Sequence, residues 1–358
     1  MKRILLTLLI LFTAIPAHAE NAREEAKIGE SYDKMIRQQF GVVENDKLQK
    51  YVTEIGKKLL VNIDDPEFQF HFTVLDEPAI NAFAVPGGYV YITRGMLAYV
   101  DNEAELAGVM GHEVGHVIGH HSYKQMQKSL GDSLLIFAGL GASVASGQGV
   151  TNTVAWVAAA QTLSQLNRMG YGRDLELQAD EFGLIYSYDA GYDPRHMQKL
   201  FRTLQFKERV SGQEYHGFAA THPDTIERIG KIGEKADIIA NRGQRPLAVK
   251  RQEYLDAIDG LPYGKGDRKL GIPAPYTISL YTPKKGDTFR AIARNIAQDE
   301  SLAFDIAVMN NQRENDTPPE GQRLKVPVPR KQLSEAELPM PHPAIPEDAP
   351  EKGREKRK

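Results

Sequence analysis

The stretch His112-Glu113-Val114-Gly115-His116 carries the most specific pattern in this sequence. On an α-helix, side chains four residues apart lie on one face, so His112 and His116 can direct two imidazoles at one metal ion. Glu113 lies beside them and can act as a general base toward an attacking water. The stretch therefore predicts a metal site with two ligands and a base on a single helical turn.

The flanking sequence predicts that this stretch belongs to a partly buried helix over residues 102–117. Asp101 or Asn102 can serve as the N-cap, and Glu103 and Glu105 fall in the first turn, where the helix dipole favours negative charge. The apolar residues recur at helical spacing, at Leu106, Val109, Met110, Val114 and Val117. This context favours a metal site over a chance occurrence of the pattern.

A catalytic zinc site needs a third protein ligand and an open fourth position. The chain contains no cysteine, so the third ligand must come from His, Asp or Glu. Glu176 is a candidate on a predicted downstream helix, and Asp180, four residues later, shares its face and can accept the free ring N–H of a ligating histidine. The small residues Ala179 and Gly183 would let this helix pack closely on the first. A solvated acidic face is the alternative interpretation of this helix.

Other arrangements of the third ligand fit less well. The metzincin pattern would require histidine at position 122, which is Ser122, and His120 and His121 fall too early in the chain. We expect His120 to be a supporting or structural residue. His71 and His222 are the remaining possible ligands. His71 lies between phenylalanines in a predicted strand, and we expect it to be structural.

Apolar alternation predicts a small sheet before the motif helix, with strands at Phe68–Val74, Ala82–Val85 and Tyr89–Thr93. Helical patterns follow at residues 175–190, 194–209 and about 224–239. The fold class is therefore α+β, with a mainly helical domain and a small edge-exposed sheet. Composition places this domain at residues 20–245, a linker at 246–275, a compact α/β unit at 276–329 and a disordered tail at 330–358.

The first 19 residues have the composition of a secretory signal peptide. Lys2 and Arg3 precede the apolar run Ile4–Ile15, and Ala17-His18-Ala19 provides a cleavage site. This run is too short to span a bilayer comfortably, and so are the apolar stretches 134–144 and 154–160, for which we expect a helical hairpin near the site. We expect a periplasmic protein with no transmembrane segment after signal cleavage.

Composition limits the class of partner. Of 358 residues, 41% are hydrophobic, which is enough for a substantial core, and the formal net charge is -3. Such a balance gives no global attraction to nucleic acid or to an acidic membrane surface. We expect no nucleic-acid partner.

Four ordered motifs over roughly residues 25–235 resemble the HtpX and CaaX-prenyl-protease family of gluzincin zinc metallopeptidases, and its soluble periplasmic members most closely. They are His112–His116, Arg173–Gly183, Asn81–Gly88 and Thr221–Ile229. The resemblance implies a zincin-like domain with one zinc ion held by His112, His116 and Glu176, and with Glu113 as the base.

The same resemblance implies roles for two further sites. Asn81–Ala84 would form an edge strand to which an extended substrate adds by β-augmentation. His222 would face the zinc cleft, where it stabilises the oxyanion or closes the open metal position. Tyr171 is a second candidate for stabilising the oxyanion.

Residues 276–329 resemble a LysM module, a small βααβ unit that binds N-acetylglucosamine-containing glycans such as peptidoglycan. The resemblance rests on Lys285-Gly286-Asp287-Thr288, the Ile292-Ala293 pair, Asn310 and the final stretch Gly321–Pro327, while the polar stretch Asn311–Glu320 departs from the pattern. A LysM-like unit makes peptidoglycan a candidate partner.

Together these patterns predict a secreted zinc metalloendopeptidase of cell-envelope protein quality control that cleaves unfolded or mis-assembled proteins. The alternative is a peptidoglycan-associated chaperone or scaffold whose zinc site is latent. Glu113 favours the enzyme, because a pure binding protein has no need of a base.

Overall fold

The structure is a computed structural model that describes residues 17–63, 68–130, 171–211, 218, 222, 226–243, 245–268 and 270–330. The expected signal peptide lies almost wholly outside these residues, as do the expected hairpin between residues 131 and 160 and the expected tail beyond residue 330. None of the helices in the described part of the chain combines the length and the apolar character that crossing a bilayer requires.

Two helices and a three-stranded sheet form the first part of the fold. The helices are α1 (Ala17–Phe40) and α2 (Asp46–Leu59). The strands are β1 (His71–Leu75), β2 (Ala82–Val85) and β3 (Tyr89–Thr93), in the order β1-β3-β2, with β1 parallel and β2 antiparallel to β3. The structure confirms the last two predicted strands at their predicted bounds, and β2 lies at an edge of the sheet.

The next six helices surround the predicted site. They are α3 (Arg94–Tyr99), α4 (Glu103–Ile118), α5 (His121–Leu130), α6 (Arg173–Asp189), α7 (Arg195–Ser211) and α8 (Ile226–Ala240). Helix α4 begins as predicted, because the Asn102 side chain accepts a hydrogen bond from the Glu105 amide and the Glu105 carboxylate accepts one from the Asp101 amide. Every residue from Glu103 to Val117 is buried, so α4 is the central helix of the fold.

Helices α4 and α6 approach each other closely where both carry small residues. A Cβ atom added to Gly183 on α6 would lie 2.9 Å from the backbone nitrogen of His112, and one added to Gly111 on α4 would lie 3.0 Å from the carbonyl oxygen of Gly183. Gly115 and Ala179 meet in the same way one turn further along. The close packing predicted from Ala179 and Gly183 is confirmed, and it brings Glu176 toward the two motif histidines.

The last part of the chain contains three helices, a short 3₁₀ turn and a second sheet, which is antiparallel and has the order β4-β5-β6. After helix α9 (Arg251–Ile258) come β4 (Pro262–Tyr263), β5 (Tyr276–Tyr281), α10 (Phe289–Asn295), the turn Glu300–Leu302, α11 (Ala303–Met309) and β6 (Leu324–Pro329). From β5 onward the order is strand, helix, helix, strand, which is the order of the expected βααβ unit.

The segment 246–275, which the sequence predicts as a linker, contains helix α9 and strand β4. Tyr254, Leu255 and Ile258 of α9 are buried, and the Tyr254 hydroxyl donates to the carbonyl of Leu97. The glycine and proline content that favoured a linker lies mostly after this helix. Three buried side chains thus hold this short helix against α2 and α4, although they give little periodic signal in the sequence.

The βααβ unit packs against the segment that leads into α4. Lys325 is fully buried, and its ammonium donates to the carbonyls of Ala98 and Val100. The Tyr99 hydroxyl donates to Asp305 at 2.8 Å, and the Asn311 amide donates to Glu105 at 3.2 Å. The unit therefore contacts the N-terminal end of the helix that carries the two motif histidines.

The crossing of α4 and α6 predicts a specific effect of adding one methyl group. Gly183→Ala should lower the free energy of unfolding by about 1–3 kcal/mol, because the new Cβ meets backbone atoms of α4 that cannot move aside. Gly230→Ala is the matched control on α8, where an added Cβ meets no described atom within 4 Å. It should raise the free energy of unfolding by about 0.5–1 kcal/mol. Chemical denaturation measures both, and the same change in the two variants would contradict the close packing.

Candidate metal centre

Four buried side chains from three separate segments converge on one point. His112 and His116 come from α4, Glu176 comes from α6, and His222 comes from the segment before α8. Each offers one ligand atom, and the four atoms all lie within 4.8 Å of one another. The structure thus brings together the three residues predicted to bind the metal and the fourth predicted to face the cleft.

The spacing of these atoms fits a zinc ion. The Nε2 atoms of His112 and His116 are 3.0 Å apart, and each lies 3.5 Å from an oxygen of Glu176. Four ligands at zinc's usual bond lengths stand about 3.3 Å from one another in a tetrahedron. Two imidazoles with one carboxylate are also a donor set that catalytic zinc sites use. The residues present therefore fit the ion.

Asp180 lies behind His112, in the position predicted for it. Its Oδ1 is 2.9 Å from the Nδ1 of His112, so it can fix the ring tautomer that leaves Nε2 free for a metal. Burial opposes ionisation of Asp180, but its hydrogen bonds with Arg228 and His112 outweigh burial, so its pKa is lowered. Asp180 is therefore an anionic partner of the His112 ring.

Arg228 was not assigned a role from the sequence, although it is part of one quoted motif. Its guanidinium donates two hydrogen bonds to Asp180, at 2.6 and 2.7 Å, and its Nη1 lies 2.8 Å from Glu176. Nη1 also donates to the carbonyl of His222 at 3.1 Å. One buried cation thus neutralises part of the charge of two carboxylates and holds the segment that carries His222.

Glu113 points a buried carboxylate at the same group. Among the described residues neither of its oxygens has a hydrogen-bond partner, and Oε1 lies 3.5 Å from the Nε2 of His222. Burial raises the pKa of Glu113. A buried carboxylate without a partner is costly unless it serves a ligand or a reaction, which marks this position as functional.

His222 occupies the side of the group opposite the α4 histidines. Its Nδ1 is 2.8 Å from Glu176 Oε1 and 3.2 Å from the Nε2 of His112, while its ring stacks on Phe218. Burial disfavours protonation of His222, but the nearby carboxylates of Glu176 and Glu113 outweigh burial, so its pKa is raised. The Nδ1 of His222 therefore lies where a fourth metal ligand would.

The remaining candidate residues lie around this group. The ring of Tyr171 stacks on His116 at 3.9 Å between centroids, and its hydroxyl bonds to Ser122 at 2.6 Å. Ser122 in turn donates to the carbonyl of Ala84 in β2 at 3.3 Å. His120 bonds to Glu25, and His71 stacks on Tyr89.

Residues 46–236, which make up more than half of the chain, match Peptidase family M48. The chain belongs to this family. It is a zincin-like metallopeptidase, and the zinc that M48 enzymes use fits the buried group of His112, His116, Glu176 and His222.

Several named proteins are similar to this chain at low sequence identity. The putative beta-barrel assembly-enhancing protease of Vibrio cholerae is 29% identical over 214 residues, which cover 60% of this chain and 44% of the relative. The beta-barrel assembly-enhancing protease of Escherichia coli is 26% identical over 241 residues, 64% of this chain and 46% of the relative. The mitochondrial metalloendopeptidase OMA1 of Arabidopsis thaliana is 30% identical over 180 residues, 50% of this chain and 33% of the relative.

The chain spans about half the length of the curated relatives it matches first. The resemblance to gluzincin peptidases is confirmed at the level of the family. The narrower likeness to HtpX and CaaX proteases stays a prediction, and so does the LysM likeness, because the family match ends at residue 236.

The buried cation of this centre predicts a large effect on stability. Arg228→Met should lower the free energy of unfolding of the metal-free protein by about 3–5 kcal/mol, because it leaves Glu176 and Asp180 as buried carboxylates without their cation. Arg173→Met is the control, since Arg173 pairs with Glu227 at the surface, and it should change stability by about 0.5 kcal/mol or less. Chemical denaturation in the presence of a chelator measures the free energy of unfolding of both variants. Similar losses of stability in the two variants would refute the role of Arg228.

Proposed function

We propose that this metallopeptidase is an endopeptidase of the cell envelope that cleaves unfolded or mis-assembled proteins. His112, His116 and Glu176 hold its zinc ion, and Glu113 is its general base. The observation that carries the proposal is the buried carboxylate of Glu113, which has no hydrogen-bond partner within the described part of the chain and lies beside a donor set with zinc spacing. A purely structural zinc site has four protein ligands and no need of a base.

In the proposed reaction, zinc supplies Lewis-acid chemistry that polarises the scissile carbonyl and acidifies water. Glu113 accepts the proton of the attacking water and later delivers it to the leaving amine. The raised pKa of Glu113 suits this double role, because a group that first accepts and then releases a proton works best when its pKa approaches the working pH. Arg228 helps to keep Glu176 ionised, and Asp180 orients the neutral ring of His112.

We propose that His222 closes the site in the resting protein. Its Nδ1 lies beside Glu176 and His112, so it takes the place that a substrate carbonyl needs. Its segment must therefore move before a peptide can bind. Once displaced, His222 remains the candidate donor to the oxyanion, since the hydroxyl of Tyr171 is engaged with Ser122 in this conformation.

The edge strand β2 is the proposed dock for an extended substrate. The backbone amide of Thr93 donates to the carbonyl of Asn81, so these two residues form a hydrogen-bonded pair. Hydrogen-bonded and non-hydrogen-bonded pairs alternate along an antiparallel ladder. The amides and carbonyls of Ala82 and Ala84 therefore point away from β3. The Ser122 hydroxyl reaches the Ala84 carbonyl from that side. A peptide that adds to this edge would displace that hydrogen bond and would lie next to α4.

The substrate class and the compartment rest on two observations. The first 19 residues read as a signal peptide, which favours the periplasm. Two of the relatives bear the name beta-barrel assembly-enhancing protease, which favours envelope proteins as substrates. The order of the βααβ unit is consistent with a LysM-like module, so peptidoglycan remains a proposed partner.

Glu113→Gln separates catalysis from metal binding. The variant should keep its zinc, because Glu113 is not a proposed ligand, but its rate of casein cleavage should fall at least about 100-fold, the usual contribution of a general base. Glu181→Gln is the control on α6, where Glu181 pairs with Lys235 at the surface. It should cleave casein at the wild-type rate, and a chelator should stop both active proteins. Cleavage by Glu113→Gln at the wild-type rate would contradict this mechanism. An inactive wild type would instead favour the alternative of a scaffold with a latent zinc site.

A further inference from the structure

His121 contacts the back of the proposed ligand His116. The Nδ1 atoms of the two rings are 2.9 Å apart, and the Nε2 of His121 is 2.9 Å from the Oε1 of Gln178 on α6. His121 is fully buried. Its ring therefore bridges the metal helix α4 and the helix that supplies Glu176.

The direction of these hydrogen bonds follows from the chemistry of a metal ligand. For His116 to bind a metal through Nε2, its proton must sit on Nδ1, so the Nδ1 of His121 must accept. The proton of a neutral His121 then sits on Nε2, which donates to the side-chain oxygen of Gln178. With the Gln178 Oε1 facing His121, as in this structure, each of these hydrogen-bonding atoms has a partner of the right kind when His116 is in the tautomer that can bind metal.

The turn between α4 and α5 is shaped around the His121 ring. A Cβ atom added to Gly119 would lie 2.3 Å from the Nε2 of His121, so only glycine leaves room there. His120 has a left-handed backbone, with φ of 52°, which is uncommon for a residue other than glycine. Its side chain is held by Glu25 and packs edge-on against Phe68. This strained turn ends α4 and folds His121 back onto His116.

We propose that His121 is a positioning residue that fixes the orientation and tautomer of His116. The inference rests on the proposed role of His116 as a zinc ligand. The two histidines of the motif are thus supported differently, since His112 has the carboxylate of Asp180 and His116 has a neutral imidazole backed by an amide. Charge explains the difference, because Arg228 and a divalent zinc ion already balance Glu113, Glu176 and Asp180. A further carboxylate behind His116 would leave an excess buried negative charge.

Zinc affinity of the full chain, measured by competition with a chromogenic chelator, tests the proposal. His121→Leu removes the acceptor but fills the space, and it should weaken zinc binding by about 10–100-fold. His121→Asn places its side-chain oxygen near the lost Nδ1 and should restore most of the affinity. His71→Asn is the control, because the His71 ring in β1 stacks on Tyr89 in β3 and is not among the clustered donors of the described residues. Its zinc affinity should match the wild type.

A second readout follows the proton itself. In the zinc-loaded wild type and in His121→Asn, the Nδ1 proton of His116 should be visible by NMR and protected from exchange, and in His121→Leu it should exchange faster. Wild-type affinity and protection in His121→Leu, or equal losses in His121→Leu and His121→Asn, would overturn the proposal. Unchanged zinc affinity in His116→Ala would instead overturn the ligand assignment, and this inference with it.

Discussion

The close crossing of α4 and α6 is the constraint on which the metal centre depends. His112 and His116 lie on one helix and Glu176 on another, and a carboxylate can join two imidazoles only if the helix backbones nearly touch. Gly111, Gly115, Ala179 and Gly183 make this approach sterically allowed. Side chains of ordinary size at these positions would hold the third ligand outside bonding distance of a shared ion.

The close approach of α4 and α6 brings several charged groups together in a buried region that excludes water. Glu113, Glu176 and Asp180 are all buried within a few ångströms of three histidines. Burial alone would raise the pKa of these carboxylates. His222, and after it His112 and Arg228, outweigh burial at Glu176, and Arg228 and His112 outweigh it at Asp180, so both pKa values are lowered. A zinc ion would supply the remaining positive charge. Glu113 is left without a hydrogen-bond partner in the described structure, and its readiness to exchange a proton follows from that isolation.

The sequence predicted those parts of the site that follow from helix periodicity and from the coordination chemistry of zinc. His112 and His116 share a face because of their spacing, and Glu176 was predicted because a catalytic zinc site needs a third protein ligand. The contacts of Arg228 and His121 were not predictable in this way. They depend on where α8 packs beside α6 and on the left-handed turn at His120, and neither leaves a periodic signal. Lys325 is a similar case, since a lone lysine in a short strand reads as a surface residue but is buried against α3.

We propose that His112, His116 and Glu176 bind one zinc ion per chain. Zinc content and the zinc-edge X-ray absorption spectrum, recorded for wild type and Glu176→Ala, measure this binding. We expect one zinc per wild-type chain, imidazole scattering from at least two histidines and only nitrogen and oxygen donors at about 2.0–2.2 Å. We also expect a clear loss of zinc in Glu176→Ala. A wild type that takes up no zinc, or a Glu176→Ala protein with the same zinc content and the same spectrum, would show that these residues do not bind the ion together.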